Sequence, residues 1–193
     1  MPRPRTEKKK MLAGELYRAA NPELVAERAR AEDLLRTYNA TRGDETGQRA
    51  AILAELLGSV GEGVVLRPPF YCDYGYNIRI GRDVFANFGC VLLDVVGIEI
   101  GDRCQIGTYV HILTADHPRD PGLRRQGLEN GKPVLIGQNV WIGSGAILLP
   151  GITVGSDAII GAASVVTRDV PAGATVMGNP ARVRSARLKT PRS

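Results

Sequence analysis

The chain has 193 residues, a length typical of one domain, with 23 glycines and few aromatic residues. It contains no long apolar run, and the basic start MPRPRTEKKKML is not followed by an apolar stretch. We therefore expect neither a transmembrane helix nor a signal peptide. The three cysteines have no CxxC spacing and are expected to be reduced thiols in a cytoplasmic protein.

The net charge of +5 is concentrated at the two ends of the chain. Residues 1–10 carry five Lys or Arg and one Glu, and residues 181–193 carry five Lys or Arg and no acid, so the ends supply +9 and the middle −4. Nucleic-acid binders usually spread basic residues over a folded face, so no nucleic-acid partner is expected. The ends are interpreted as solvated tails or, for the C-terminal group, as contacts to a phosphate-bearing ligand.

The region before Val60 is predicted to be helical. The segment NPELVAERARAEDLLRTYNA offers Asn21 as an N-cap and Pro22 at the first helical position. The segment ETGQRAAILAELLGSV is predicted to form a second helix that ends at Gly58. Short helices are marginal alone, so this N-terminal helical region, residues 1–58, should pack against its neighbours.

From Ile100 onward an aliphatic residue followed by a small or polar residue recurs every six positions, and a fainter copy precedes it. Neither an α-helix nor an alternating strand has this period. It is typical of a solenoid in which three six-residue units form a triangular coil and inward residues stack 18 positions apart. We predict a mainly β solenoid over residues 59–183 and a basic tail over residues 184–193. The repeating positions are Ile80, Ala86, Leu92, Ile100, Ile106, Ile112, Ile136, Ile142, Leu148, Val154, Ile160 and Val166.

The repeat is interrupted after Ile112 and resumes 18 residues late, at Ile136. Residues 114–133 are therefore predicted to leave the solenoid as a long loop, which is either a functional lid or a tolerated surface insertion. His117 stands at the root of this loop beside Asp116 and is a candidate general base. His111 should face another side of the coil and is interpreted as structural. With only two histidines that face apart, no metal site is expected.

Several segments resemble one family: YCDYGYNIRIG with FANFGCVLLD, then TADHPRD, then GKPVLIGQNVWIGSGAILLPGITVG with VVTRDVPAGATVMGNPARV. Together with MLAGELYRAAN near the start, they are similar to the maltose and galactoside O-acetyltransferases, within the hexapeptide-repeat acyltransferases. The resemblance covers nearly the whole chain. It implies a left-handed parallel β-helix and transfer of acetyl from acetyl-CoA to a sugar hydroxyl. It also implies a homotrimer with active sites in the clefts between neighbouring solenoids.

The resemblance further implies roles for individual residues. The catalytic histidine of the family matches His117, and the acceptor-binding positions match Asp73, Asn87 and Asp94. Two acids of the galactoside branch align with Ala19 and Val95 here, which favours a maltose-like acceptor. The positions that contact CoA match Ser144, Ala162, Thr167, Arg168 and Arg182, with Trp141 close by. The guanidinium groups of Arg168, Arg182 and Arg184 could pair with the phosphates of CoA.

Three points remain open at the level of the sequence. The aromatic cluster around Asp73, residues 70–76, could hold a pyranose or cap the solenoid. Oxyanion donors could come from the segment Gly143-Ser144-Gly145, whose glycines could instead serve corner geometry alone. The partner that orients His117 could be a backbone carbonyl, Asp116 or Glu129.

The leading hypothesis is an acetyl-CoA-dependent O-acetyltransferase that acts on a sugar such as maltose or glucose. One alternative keeps the chemistry and changes the acceptor to an amino sugar, a glycan such as a lipo-oligosaccharide, or a hydroxylated antibiotic. The other is a non-catalytic trimeric scaffold that retains the fold.

Overall fold

The computed structural model describes residues 5–185, in which short parallel strands wind into a three-sided β-helix, as predicted. The helices are α1 (Glu7–Leu12), α2 (Pro22–Asn39), α3 (Thr46–Leu56) and α4 (Pro121–Arg125). The strands are β1 (Tyr17–Arg18), β2 (Ser59–Val60), β3 (Val65–Leu66), β4 (Phe70–Cys72), β5 (Ile78–Ile80), β6 (Phe85–Ala86), β7 (Cys90–Leu93), β8 (Ile98–Ile100), β9 (Gln105–Ile106), β10 (His111–Leu113), β11 (Ala115–Asp116), β12 (Leu128–Gly131), β13 (Val134–Ile136), β14 (Trp141–Ile142), β15 (Ile147–Leu148), β16 (Thr153–Val154), β17 (Ile159–Ile160), β18 (Val165–Val166), β19 (Thr175–Met177) and β20 (Arg182–Ser185).

The two predicted N-terminal helices are confirmed as α2 and α3. The side chain of Asn21 accepts the backbone N–H of Glu23 at 3.1 Å and so caps α2. Leu35 and Tyr38 of α2 are buried against the first coil, where the Tyr38 hydroxyl donates to the carbonyl of Leu66. These helices therefore cover the open end of the solenoid.

Lys8, Lys9 and Lys10 are folded, which corrects their interpretation as part of a solvated tail. They lie in α1, where Lys10 pairs with Glu7 at 2.6 Å and Lys8 pairs with Glu27 of α2. At the other end, β20 runs back along β19 and crosses the predicted boundary between solenoid and tail. Residues 186–193 lie outside the described part of the chain.

The solenoid has three faces. Sheet I contains β4, β7, β10, β15 and β18; sheet II contains β2, β5, β8, β13 and β16; sheet III contains β3, β6, β9, β14, β17, β19 and β20. The chain passes from sheet III to sheet I through a corner that we call the Asn87 corner (residues 87–89, 107–109, 143–145 and 161–163). It passes from sheet I to sheet II through the His117 corner (residues 73–77, 94–97, 114–133, 149–152 and 167–169).

The first coils are longer than predicted. Trp141 pairs with Ile159, 18 positions on, as the repeat requires, but Phe70 pairs with Cys90, 20 positions on. The two extra residues enter at the His117 corner, between Cys72 and Ile80 and again between Leu92 and Ile100. The long interruption after Ile112 falls at the same corner. Every break in the six-residue repeat therefore lies on one edge of the solenoid.

The segment predicted as a loop over residues 114–133 is an ordered hairpin. Its strands β11 and β12 pair antiparallel, with Ala115 opposite Gly131, and α4 lies between them. On its other side β12 pairs with β1, which belongs to the N-terminal region. Apolar residues beneath this three-stranded sheet join the hairpin to the N-terminal region: Met11, Tyr17, Leu24, Tyr74 and Val95.

Candidate active site

The buried carboxylate of Asp94 holds one turn of the His117 corner in place through hydrogen bonds to backbone N–H groups. Its Oδ1 accepts the backbone N–H groups of Asp73 at 3.0 Å and Tyr74 at 2.9 Å, and its Oδ2 accepts that of Asn77 at 3.2 Å. The extra residues after Cys72 thus form a turn that closes around one carboxylate. Asp94 has no exposed surface. In this chain it supports the turn that carries Asp73, rather than reaching into solvent.

Burial raises the pKa of Asp94 to about 7, although the N–H of Tyr74 opposes this shift, and the nearby Asp73 carboxylate adds to it. The pKa of Asp73 is also raised, chiefly by burial, with Arg28 acting in the opposite direction and Glu129 in the same one. The corner therefore holds acidic groups that bind protons more tightly than free carboxylates do.

The hairpin also carries the carboxylate of Glu129. The pairing of β11 with β12 ends with Asp116 opposite Asn130, and one further step in the same register would set His117 opposite Glu129. Side chains directly opposite each other in such a pair lie on the same face, with Cβ atoms about 4.5–5.5 Å apart. Glu129 is also directly opposite Tyr17 of β1, whose hydroxyl donates to Glu129 Oε2 at 3.0 Å.

The carboxylate of Asp116 forms hydrogen bonds with the backbone of His117 and with Arg119. Its Oδ1 accepts the backbone N–H of His117 at 2.8 Å, and both its oxygens accept from the guanidinium of Arg119. Burial acts to raise the pKa of Asp116, but these hydrogen bonds lower it overall. Of the two carboxylates left open by the sequence as orienting partners, Glu129 is the one that is not bound to Arg119, and the His117 side chain is exposed.

A pocket of about 260 Å³ opens where the hairpin, the N-terminal region and the His117 corner meet. Arg28 of α2 forms one wall and donates to the Tyr74 hydroxyl at 2.7 Å and to the carbonyl of Ala19 at 2.9 Å. Two carboxylates and one guanidinium thus face a small cavity. Its lining consists of Tyr17, Ala19, Arg28, Asp73, Tyr74, Val95 and Glu129.

Sequence reasoning singled out Asp73 but gave no pocket role to Tyr17 or Arg28. Both come from the N-terminal region, where Arg28 occupies one position of an ordinary amphipathic helix. The pairing of β1 with β12 brings this region to the hairpin, and no local pattern encodes that contact. The two positions that depart from the galactoside branch, Ala19 and Val95, line the same pocket.

The remaining predicted residues divide between two edges of the chain. Asn87, Ser144 and Ala162 follow β6, β14 and β17 and lie on the Asn87 corner. Thr167 and Arg168 follow β18 and lie on the His117 corner, with both side chains exposed. Sheet I separates the two corners. One chain therefore does not bring Asn87 or Ser144 to its own His117.

In the segment Gly143-Ser144-Gly145, the candidate oxyanion donors lie on Ser144. The backbone N–H of Gly143 donates to Ile160 and that of Gly145 to Thr108, both at 2.8 Å, so neither is free. The Ser144 side chain is exposed, and its Oγ accepts the N–H of Thr108 at 3.2 Å. The hydroxyl proton of Ser144 is thus directed away from that bond.

The other predicted cofactor contacts lie on exposed surface. Trp141 projects from sheet III between Gln105 and Ile159 and is 57% exposed. Arg182 and Arg184 lie on the exposed strand β20. His111 points outward from sheet I between Val91 and Ile147, away from the hairpin.

Between residues 5 and 185, no group of three or more His, Cys, Asp or Glu side chains is placed to hold a metal ion. Over the same stretch, no helix is both long and apolar enough to cross a bilayer.

Comparisons with known proteins agree with this architecture at both ends. The family model described as the maltose acetyltransferase hexapeptide capping motif matches residues 10–61, which include the N-terminal helices and β1. The model described as the bacterial transferase hexapeptide, six repeats, matches residues 133–168, which form the regular coils after the hairpin.

Individual relatives cover almost the whole chain. Nodulation protein L of Rhizobium meliloti (strain 1021) is 58% identical over 93% of this chain and 98% of its own length. The crystal structure of a maltose O-acetyltransferase from Clostridium difficile 630 superposes with a TM-score of 0.91 at 49% identity, covering 93% of this chain and 96% of that one. A galactoside acetyltransferase in complex with coenzyme A gives a TM-score of 0.90 at 35% identity, over 94% and 91%. This chain therefore belongs to the maltose and galactoside O-acetyltransferase family of hexapeptide-repeat acyltransferases.

Proposed function

We propose that the protein transfers an acetyl group from acetyl-CoA to a hydroxyl of a sugar such as maltose or glucose, with His117 as the general base. The observation that carries this proposal is the small polar pocket beside the hairpin that presents His117. Carboxylates such as Asp73 accept hydrogen bonds from sugar hydroxyls, and the guanidinium of Arg28 donates to them. The cavity is below the roughly 300 Å³ at which drug-sized sites begin, which suits a single sugar ring.

In this mechanism, His117 removes the proton of the acceptor hydroxyl as its oxygen attacks the thioester carbonyl carbon of acetyl-CoA. The C–O bond forms and the carbonyl oxygen becomes an oxyanion, which the Ser144 hydroxyl stabilises. The C–S bond then breaks, the oxyanion collapses to the ester, and His117 returns the proton to the departing thiolate. Glu129 is a positioning residue that holds the imidazole and stabilises its protonated form.

The residues of the proposed site come from two subunits. His117 and Asp73 lie on one corner of the chain and Asn87 and Ser144 on another, with sheet I between them. Outward residues of sheet I are mostly apolar, for example Val91 and Ile147 beside His111. A homotrimer that packs these faces would bring the His117 corner of one subunit to the Asn87 corner of the next. Sedimentation of the purified protein at a trimer mass tests this arrangement.

Acetyl-CoA is the proposed donor, since a structural neighbour binds coenzyme A. Exposed Trp141, Ala162 and Thr167 offer contacts for its adenine and pantetheine groups. Arg168, Arg182 and Arg184 offer guanidinium groups for its phosphates. This donor makes the cytoplasm the proposed compartment.

An amino sugar is a second acceptor that the pocket favours. Asp73 and Glu129 supply two carboxylates against the single guanidinium of Arg28, which is already bonded to Tyr74 and Ala19. The surplus negative charge would attract a protonated amine. Glucosamine therefore belongs in the acceptor panel beside maltose and glucose.

The first experiment is release of CoA thiol from acetyl-CoA with maltose, glucose, glucosamine or isopropyl thiogalactoside, for the wild type and His117→Ala. We expect the variant to lose a hundredfold or more, because positioned acid–base catalysis contributes about 10²–10⁴-fold. His111→Val is the matched control, because it removes the other histidine and leaves an apolar side chain on an apolar face. We expect it to retain activity.

The outcomes separate the competing functions. A silent wild type whose melting point still rises with CoA would mean that the acceptor class is wrong. A wild type that neither turns over nor responds to CoA would favour the non-catalytic scaffold.

A further inference from the structure

The Asn87 corner carries a side chain that the proposed chemistry does not use. Tyr109 has a φ of 55°, in the left-handed region that a bulky residue adopts only at an energetic cost. The equivalent positions of other coils also have positive φ but carry small residues: Gly89, Gly145 and Ala163. Strained backbone is retained where it serves a function more often than elsewhere, so the tyrosine ring needs an explanation.

The coil before Tyr109 is shaped to receive this ring. A Cβ at Gly89 would lie 2.5 Å from Cδ1 of Tyr109, so only glycine leaves room for it. Gly89 itself has a φ of +74°. The ring therefore rests against the backbone of Gly89, yet Tyr109 is 63% exposed. One side of the ring is supported and the other is open.

The backbone N–H of Tyr109 donates to the carbonyl of Phe88 at 2.8 Å, and the residues around Phe88 carry polar groups. The guanidinium of Arg67 lies 3.7 Å from the ring centroid of the neighbouring Phe88. The side-chain oxygen of Asn87 accepts the backbone N–H of Phe88 at 2.9 Å, which leaves the amide NH₂ of Asn87 as a donor. We call Arg67, Phe88 and Tyr109 the aromatic shelf. Open aromatic rings beside fixed N–H donors match a pyranose, which has an apolar C–H face and polar hydroxyl edges.

The position of the ring points to the acceptor end of the cleft. Tyr109 leans over Gly89 towards the coil of Asn87 and Asp94. The coils that carry Ser144 and Ala162, where the donor is proposed to bind, lie on its other side. A ligand on the shelf would therefore continue from the sugar held near Asn87.

We propose that the aromatic shelf is a second sugar subsite, in which the ring next to the acetylated one stacks on Tyr109. The preferred acceptor is then an oligosaccharide rather than a monosaccharide. This inference rests on the proposed function, because it places the shelf beside an acceptor-contacting Asn87.

The test compares maltotriose with glucose as acceptors, by CoA thiol release, for the wild type and Tyr109→Asn. Asparagine removes the ring and tolerates the left-handed backbone. We expect the ratio of kcat/KM for maltotriose to that for glucose to fall about tenfold, equivalent to about 1.4 kcal/mol, mainly through the KM of maltotriose. Tyr109→Phe should keep the wild-type ratio, because the ring remains.

Arg103→Asn is the matched control. Arg103 has a similar φ of 59° but is exposed on the third corner of the solenoid, between sheets II and III. Both asparagine variants should raise the unfolding midpoint by about 2–4 °C, because both relieve left-handed strain. Only Tyr109→Asn should lower the acceptor ratio, so a stability effect is separated from a binding effect.

Two results would overturn the subsite. One is an unchanged acceptor ratio in Tyr109→Asn. The other is dissociation of the assembled protein by this substitution in sedimentation, which would assign the ring to a contact between subunits. If the wild type acetylates no sugar at all, the proposed function fails, and calorimetric binding of maltotriose decides the subsite. Binding that Tyr109→Asn abolishes would sustain it, and no binding by the wild type would end it.

Discussion

Replacing Asp94 tests whether this carboxylate supports the acceptor pocket from below or contacts the acceptor itself. In Asp94→Ala, the backbone N–H groups of Asp73, Tyr74 and Asn77 lose their acceptor inside the protein. Each unsatisfied buried donor costs about 1–3 kcal/mol. We therefore expect the free energy of unfolding to fall by at least about 3 kcal/mol, measured by urea denaturation.

The Asp94→Asn variant should lose less stability than Asp94→Ala. Its remaining side-chain oxygen can still accept from Asp73 and Tyr74, while its NH₂ group faces the N–H of Asn77. One donor is lost instead of three, so the expected loss is about 1–3 kcal/mol. Activity should fall together with stability in the order wild type, Asn, Ala, because the turn that carries Asp73 loosens step by step.

A different pattern would refute the supporting role. If Asp94→Asn unfolds at the same urea concentration as the wild type while its KM for the acceptor rises a hundredfold, the carboxylate binds the acceptor directly. The KM for acetyl-CoA serves as the internal control, because the donor is proposed to bind near the later coils. It should stay constant in either case.

Three further predictions concern the same edge of the solenoid. The pKa of Asp94 is raised from 3.8 to about 7 in the folded protein, so protonation of Asp94 favours the folded state. This contribution to the free energy of unfolding is complete below pH 4. Roughly 4 kcal/mol of it is lost as the pH rises through 7. Urea unfolding between pH 4 and 8 should show this decline in the wild type and a flatter profile in Asp94→Asn. Gly131→Ala places a Cβ 2.8 Å from a methyl of buried Val95, which should cost about 1–3 kcal/mol in urea unfolding, whereas Gly43→Ala, with open space around it, should be nearly neutral. Glu129→Gln keeps an oxygen for the Tyr17 hydroxyl but removes the charge beside His117, so kcat for thiol release should fall about tenfold or more; an unchanged kcat would rule out Glu129 as the positioning residue.

The regular part of the fold could be predicted from the sequence because its signal is local and repeated. Inward residues such as Ile142 and Ile160 recur at fixed spacing, and each occurrence reinforces the others. The capped start of α2 could also be predicted, because Asn21 and Pro22 are residue types that favour the N-cap and the first helical position. The interruption after Ile112 marked the hairpin, but its strands were missed because residues 114–133 are polar and lack a strand pattern.

The pocket could be predicted only in part, because it is assembled by contacts between distant segments. Tyr17 meets Glu129 across more than a hundred residues. No sequence feature near either residue indicates that the two are in contact. Asp94 was predicted to bind the acceptor, and its burial under three N–H groups depends on the turn that the extra residues after Cys72 create. The family resemblance indicates which positions belong to the site, whereas the contacts that each residue makes follow from the fold.

The confinement of every irregularity to one edge has a consequence for how this architecture diversifies. Lengthening or shortening the chain at the His117 corner leaves the stacked interior in phase, because inward residues on all three sheets keep their neighbours. The coils from Val134 to Val166 keep the 18-residue spacing, and the last coil is shortened to 16 residues, again at the His117 corner. On the proposed function, recognition of the acceptor can thus change in the first half of the molecule while the coils proposed to bind acetyl-CoA, in the second half, stay unchanged.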